Sequence, residues 1–209
     1  MGKRGTKRKS RPKRKLLPTF LIIVEGKSEK VYFNTLKKNF GEQMKGIKVI
    51  PELNISHLSV KKIEEYQKSN RGYTHYFWVI DLDVVLRENR LDNIRSAIKR
   101  SRELKNVDLI INYPCLEYWF YLHLNESGNF GRECDKVIDK LKSDFPDIFK
   151  NYDKSRERVK EVTQKLLPHL ERAIENSKKR GCYVEKWVDG IDDGEINCSQ
   201  MEKIFEKFR

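Results

Sequence analysis

The stretch that decides the fold is TFLIIVEG, residues 19–26. Its apolar residues follow one another without the polar alternation of a half-exposed strand, which predicts a strand buried on both faces. Gly26 ends the run and permits a tight turn with close approach of a ligand to the backbone. Ser28 is then expected to cap a helix that extends to about Phe40. The stretch therefore predicts the first strand, turn and helix of an α/β unit.

The same pattern of a buried strand and a following helix recurs downstream. Residues 75–81 (HYFWVID) and 106–112 (NVDLIIN) predict buried strands, followed by helices over about 88–104 and from Pro114. Such alternation predicts a mostly parallel sheet flanked by helices, because right-handed crossovers place the helices on its faces. We therefore expect a Rossmann-like α/β core over residues 16–124 and a mainly helical part over 125–209 packed on it.

Weaker patterns fill in the remaining elements. A strand over 47–58 is interrupted by Pro51, and an acidic loop is expected at 189–195. Further helices are predicted at 59–69, 132–143, 159–179 and 199–208.

The positive charge of the chain is concentrated at one end. The 209 residues carry 44 Lys and Arg against 31 Asp and Glu, a net charge of +13. Nine of the bases lie in residues 1–15 without any acid, which leaves +4 for the rest of the chain. A block of this kind predicts a disordered basic tail, which is a nuclear-import signal, a phosphate-binding arm or a solubilising segment. The charge favours nucleic acid as a partner.

Two further observations bear on location and redox state. No run of about 18 apolar residues is present, so we expect a cytoplasmic protein without a membrane partner. The four cysteines, which form no CxxC pair, are expected to be reduced packing residues.

Acidic residues follow the predicted strands at the edge where parallel sheets form their binding sites. Glu25 closes the first strand, Asp81 closes the strand over 75–81, and Asp83 follows two residues later. In an extended chain, residues i and i+2 point the same way, so Asp81 and Asp83 are expected to face one point. Convergent carboxylates require a cation, and oxygen ligands favour Mg²⁺ or Mn²⁺.

A buried strand ending in VEG (24–26) and a second one ending in DLD (81–83) together resemble the TOPRIM domain of topoisomerases, bacterial primases and OLD-type nucleases. On that resemblance, Glu25 matches the invariant glutamate, while Asp81 and Asp83 match the DxD pair. The resemblance implies metal-dependent cleavage of DNA or RNA, with Glu25 as a metal ligand or general acid or base.

Three motifs narrow the resemblance to the RloB family, bacterial proteins tied to restriction loci and phage defence. They read IIVEGKSEKVYFNTL (22–36), WVIDLDV (78–84) and NYPCLEYWFYLHL (112–124), and residues 152–154 (YDK) resemble a further family element. The resemblance implies a defence nuclease with a AAA or ABC-type ATPase partner. The alternatives are a non-catalytic nucleic-acid-binding or regulatory subunit and, ranked last, nucleotidyl transfer of the primase kind.

Three residues in the first and last of these motifs have two interpretations each. Glu117 is either a fourth catalytic acid at the metal site or a residue that stabilises the start of its helix. Glu29 is expected to stabilise its helix N-terminus, with a supporting role at the site as the alternative. His123 is expected to be a packed histidine rather than a catalytic one.

Overall fold

The computed structural model describes residues 18–51, 60–69, 72–126, 128–183 and 197–208. The predicted basic tail, the strand prediction beyond Pro51 and the acidic loop at 189–195 lie outside the described residues. No helix in the described ranges is both long and apolar enough to cross a membrane.

Five strands form one mixed sheet, in which four are parallel and the last is antiparallel. The strands are β1 (Phe20–Val24), β2 (Ile47–Pro51), β3 (His75–Asp81), β4 (Val107–Tyr113) and β5 (Cys198–Ser199). Their order in the sheet is β2-β1-β3-β4-β5. The predicted α/β fold with a mostly parallel sheet and flanking helices is therefore confirmed.

The described part of the chain contains ten α-helices. They are α1 (Lys27–Phe40), α2 (Val60–Ser69), α3 (Leu82–Arg87), α4 (Leu91–Ser101), α5 (Leu116–Leu124), α6 (Cys134–Asp144), α7 (Pro146–Phe149), α8 (Arg156–Leu166), α9 (Leu170–Arg180) and α10 (Glu202–Glu206). Short 3₁₀ turns at Gly41–Met44 and Leu167–His169 extend α1 and join α8 to α9.

The alternating side chains of the strands build a separate core on each face of the sheet. On one face, Ile22 and Phe77 pack with apolar residues of α1, α5, α6, α8, α9 and α10. On the other face, Ile23 and Trp78 pack with α3 and α4. Full burial of each such side chain stabilises the fold by roughly 1.5–3 kcal/mol. Because both faces are covered, the strands carry the continuous apolar runs seen in the sequence.

Several predicted helix boundaries are wrong for identifiable reasons. Helix α1 begins at Lys27 with Gly26 as its N-cap, so Ser28 does not cap it. Pro114 precedes α5 in a cis peptide with Tyr113, and α5 begins only at Leu116. The helix predicted over 159–179 is divided at the turn that contains Pro168, which has no N–H to continue the helical ladder.

Two other predicted helices differ from the helices that the structure contains. The helix predicted over 88–104 is preceded by α3, which starts directly after β3, and α4 follows as a separate helix. The helix predicted from Ser199 begins at Glu202, because residues 198 and 199 pair with β4 as an added strand.

The prediction that the cysteines are reduced is also wrong. Cys115 pairs with Cys134 and Cys182 pairs with Cys198, with Cα–Cα distances of 5.7 and 5.2 Å. The partners are 19 and 16 residues apart, a spacing without a local motif, so only the folded chain brings the sulfurs together.

The strand order places a binding crevice between β1 and β3. Strand β1 has β2 on one side and β3 on the other, so the chain leaves the two central strands in opposite directions. Loops that diverge in this way leave a crevice at the carboxyl ends of the strands. Glu25 and Asp81 lie at those ends.

Candidate functional site

Glu25 and Asp81 meet at the carboxyl ends of neighbouring strands. Val24 of β1 is in register with Val79 of β3, so the chain just beyond each residue reaches the same edge of the sheet. The backbone N–H of Asp81 donates a hydrogen bond to Oε2 of Glu25 at 3.3 Å. The register of β1 and β3 therefore places Glu25 and Asp81 side by side, as the sequence predicts.

The side chain of Asp81 is held by donors from β4 and α5. Nδ2 of Asn112 donates to its Oδ1 at 3.1 Å, and the backbone N–H of Leu116 donates to its Oδ2 at 3.0 Å. Asn112 is itself oriented by the Ser199 hydroxyl of β5, which donates to its Oδ1 at 2.7 Å. Three adjacent strands thus fix one carboxylate.

Glu29 lies in the first turn of α1 and is buried, with 5% of its surface exposed. Its Oε2 atom has no hydrogen-bond partner among the described residues. A Cβ atom on Gly26 would lie 2.5 Å from this oxygen, so a side chain at position 26 would displace the Glu29 carboxylate. Gly26 therefore provides space for a second acid beside Glu25.

Glu117 is buried in the first turn of α5 and is held from the loop that precedes α8. The Tyr152 hydroxyl donates to its Oε1 at 2.7 Å, and Nζ of Lys154 lies 3.5 Å from its Oε2. Sγ of Cys134, which belongs to the disulfide with Cys115, lies 3.1 Å from the same Oε2. The predicted position of Glu117 at the carboxyl edge of the sheet is observed, and Lys154 is its counter-charge.

Electrostatic repulsion links these acids, which we call the carboxylate cluster: Glu25, Glu29, Asp81 and Glu117. Burial raises the pKa of Asp81 well above its usual range, and the nearby charges of Glu29, Glu117 and Glu25 raise it further. Burial and the Glu117 charge likewise raise the pKa of Glu29. The pKa of Glu25 rises to about 7, chiefly through burial and with a contribution from Glu29.

Asp83 occupies a different position from the one its spacing predicts. The chain turns into α3 at Leu82, so Asp81 and Asp83 are not in one extended segment, and that part of the prediction is wrong. The backbone N–H of Asp83 donates to the Pro114 carbonyl at 2.9 Å, while its side chain accepts from the N–H of Val84 at 2.8 Å. The Asp83 charge still raises the pKa of Glu25, so it lies within electrostatic reach of the cluster.

A cavity of about 600 Å³ opens beside the cluster. Its lining carries both signs of charge, with the acids Asp83, Glu133 and Asp135 and the bases Arg87, Arg132 and Lys154. Burial raises the pKa of Asp83, and the charges of Lys154 and Arg87 oppose that rise. The cavity therefore holds equal numbers of acidic and basic side chains.

One group of potential metal ligands lies close together in the described part of the chain. Ligand atoms of Cys115, Glu117 and Cys134 are all within 4.8 Å of one another. Because the two sulfurs form a disulfide, no thiolate is available there to bind a metal. The predicted set of Glu25, Asp81 and Asp83 does not form such a group of three.

The sequence did not single out Asn112 as a site residue, although Asn112 orients Asp81. Asn112 closes its strand at the same edge as the acids, a position that could have identified it. In the sequence, Tyr152 and Lys154 belong only to the short family element at residues 152–154, yet in the structure they hold Glu117.

His123 is buried, its Nδ1–H donates to the Trp119 carbonyl at 2.9 Å, and burial lowers its pKa to about 4.

The fold and the site define a class of protein: an α/β sheet with a cluster of buried acids at the switch point between its central strands. The RloB-like protein family matches residues 20–206, and the chain belongs to that family. Comparison with curated proteins and with solved structures gave no match.

Proposed function

We propose that the chain is a metal-dependent nuclease that hydrolyses phosphodiester bonds in DNA or RNA and serves bacterial anti-phage defence. The observation that carries the nuclease proposal is the carboxylate cluster at the switch point. Ionised acids held together in this way repel one another, and a bound cation removes that cost. Membership of the RloB-like family, with the defence role its motifs imply, supports the biological setting.

The residues of the cluster fit a hard divalent cation such as Mg²⁺ or Mn²⁺, which prefers oxygen ligands. Glu25 and Asp81, which meet at the strand ends, would hold the ion, and Glu29 has a buried oxygen without a hydrogen-bond partner among the described residues. Asp83 is left out of this set, because its side chain accepts from the N–H of Val84 in the turn into α3. When bound, the ion would neutralise the charge that develops on the phosphate.

As the alternative to a role as metal ligand, Glu25 would exchange protons at this site. Its pKa of about 7 allows it to accept a proton from the attacking water, or to donate one to the leaving oxygen, near neutral pH. Asn112 and the Leu116 N–H orient Asp81. Lys154 keeps the buried Glu117 charge compensated and borders the cavity through which substrate would enter.

The test is cleavage by the purified full chain supplied with Mg²⁺ or Mn²⁺ and separate DNA, RNA and tRNA substrates. Glu25→Gln should lower the turnover rate by about 10²–10⁴-fold, the usual contribution of a general acid or base. Asp81→Asn should abolish turnover and also remove the rise in melting temperature that the metal causes in the wild type. Asp92→Asn, an exposed acid on α4, is the matched control and should cut at the wild-type rate.

Two results would contradict the proposal. If the wild type cuts none of these substrates with either metal, or if all three variants cut alike, the cluster is not a nuclease site. Retained binding of nucleic acid without cutting would instead favour the alternative, a non-catalytic binding or regulatory subunit. Repeating the assay with an ATPase encoded beside the protein tests the partner that the family resemblance implies.

A further inference from the structure

A groove with basic walls lies between α1 and α8, on the side of the sheet that carries the larger core. The groove has a volume of about 370 Å³. We call it the basic groove and define it by five side chains, Lys27, Lys30 and Lys38 of α1 and Arg156 and Lys160 of α8. Val31, Asn34 and Thr35 complete the lining, which contains no acid.

The helical spacing sets the basic side chains in two facing rows. Positions 27, 30, 34 and 38 of α1 are separated by three or four residues, so they lie along one face of the helix. Arg156 and Lys160 have the same relation on α8. The row on α1 extends about 17 Å at 1.5 Å per residue.

Nothing in the described part of the chain neutralises these charges. The described residues contain many exposed ion pairs, for example Lys165 with Glu161 on the same helix α8, but none includes a member of the basic groove. Facing rows of like charge repel one another, and a polyanion between them would remove the repulsion. The basic residues of the groove therefore favour binding of an anionic ligand and do not stabilise the fold.

Both rows begin beside the carboxylate cluster. Lys27 is two residues after Glu25, and Arg156 is two residues after Lys154, the counter-charge of Glu117. An extended polyanion lying in the groove would thus have one end near the carboxylate cluster.

We propose that the basic groove binds the phosphodiester backbone of a single nucleic-acid strand and leads it to the carboxylate cluster. The inference rests on the proposed function, because it names the path of that substrate. A single strand fits better than a duplex, because two facing rows of bases can neutralise one backbone from both sides.

The experiment measures binding without cleavage, using the full chain in EDTA and fluorescent oligonucleotides of about 12 nucleotides. Single-stranded DNA, single-stranded RNA and duplex DNA of one sequence form the three arms. The groove variant is Lys30→Ala with Lys38→Ala. The control variant is Lys99→Ala with Lys105→Ala, which removes the same charge from exposed positions on or just after α4, on the other face of the sheet.

The groove variant should bind single strands roughly tenfold more weakly at moderate salt, and its salt slope should fall by about 1.4, or 0.7 for each phosphate that is no longer neutralised. The control should change neither quantity by more than a small fraction. The basic N-terminus is present in every protein compared, so its contribution cancels. The DNA and RNA arms identify which strand the groove prefers.

Equal affinities and slopes for the two variants would overturn the inference, as would equal weakening of duplex and single strand. These outcomes are separable from failure of the proposed function. A wild type that cuts, with both variants binding alike, would leave the nuclease and remove the groove. A wild type that never cuts, with binding lost only in the groove variant, would leave a strand-binding surface without hydrolysis.

Discussion

The carboxylate cluster and the basic groove are both sets of like charges, and they meet at the start of α1. In the cluster, Glu29 and Glu117 are at most 5% exposed, and each acid raises the pKa of a neighbour. In the groove, Lys27, Lys30 and Lys38 are exposed to water. Repulsion in a buried site is screened little, whereas water and salt reduce it strongly at the surface.

The difference teaches what each region can do. Buried acids that repel one another exchange protons near neutral pH or bind a cation, which suits chemistry. Exposed bases keep their charge and bind phosphates with an affinity that weakens with salt, which suits capture of a polyanion. Three experiments probe the two regions, in proteins free of metal.

The largest effect is expected from removing the counter-charge of the cluster. Lys154→Met leaves the buried Glu117 without a cation, so it should lower the free energy of unfolding by about 2 kcal/mol. Lys160→Met removes the same charge from the groove and should change stability by less than about 0.5 kcal/mol. Urea unfolding at neutral pH measures both, and equal effects would mean that the cluster is not electrostatically distinct.

A smaller, pH-dependent effect is expected at Glu25. Its pKa is about 7 in the folded chain and near 4.5 when unfolded, so folding favours the protonated form. The resulting stability is present below pH 4.5 and is lost as the pH rises through 7.

Glu25→Gln should therefore unfold with a free energy about 1–2 kcal/mol higher than the wild type at pH 8.5. The difference should vanish only well below pH 4.5, where the wild-type carboxyl is protonated in both states. Chemical denaturation across this range checks the sign. Lys30→Gln is the comparison in the groove. If the difference in unfolding free energy between this variant and the wild type does not change with pH, the pH dependence belongs to the cluster.

The smallest effect is expected from reversing one charge in the groove. Lys30→Glu replaces repulsion from Lys27 one turn away by attraction, so it should stabilise the chain by about 0.3–0.5 kcal/mol at low salt. At about 1 M salt, screening should remove most of the gain. Thermal unfolding at the two salt concentrations makes the measurement, and a gain that survives high salt would assign the effect to helix propensity instead.

Much of the fold could be predicted from the sequence, because the patterns that indicate its strands lie in neighbouring residues. The runs at 20–24, 75–81 and 107–113 are buried on both faces of the sheet, and their apolar composition reports that burial directly. Helix ends were less readable. At Pro114, the preference of proline for the first turn of a helix predicted a start two residues too early, because Cys115 is still extended as the N-cap and α5 begins at Leu116.

The candidate site could be predicted only in part from the sequence, since the convergence of its side chains depends on distant parts of the chain. The strand ends predicted that Glu25 and Asp81 would share an edge, 56 residues apart. Glu29 had a simpler interpretation as a helix-terminus acid, and only the missing Cβ of Gly26 and the packing of α1 show that it turns inward. The nuclease assignment of these residues stays a prediction that the cleavage assay would test.

The sequence by itself determined the buried parallel strands and the acids at their carboxyl ends, because strand burial follows from the apolar character of neighbouring residues. Only the tertiary structure decided that Tyr152 and Lys154 hold Glu117, that Ser199 orients Asn112 and that the cysteines pair. It also set α8 opposite α1 to complete the groove. The physical reason is that these contacts join residues far apart in the chain, whose meeting depends on how helices pack on the sheet rather than on any local pattern.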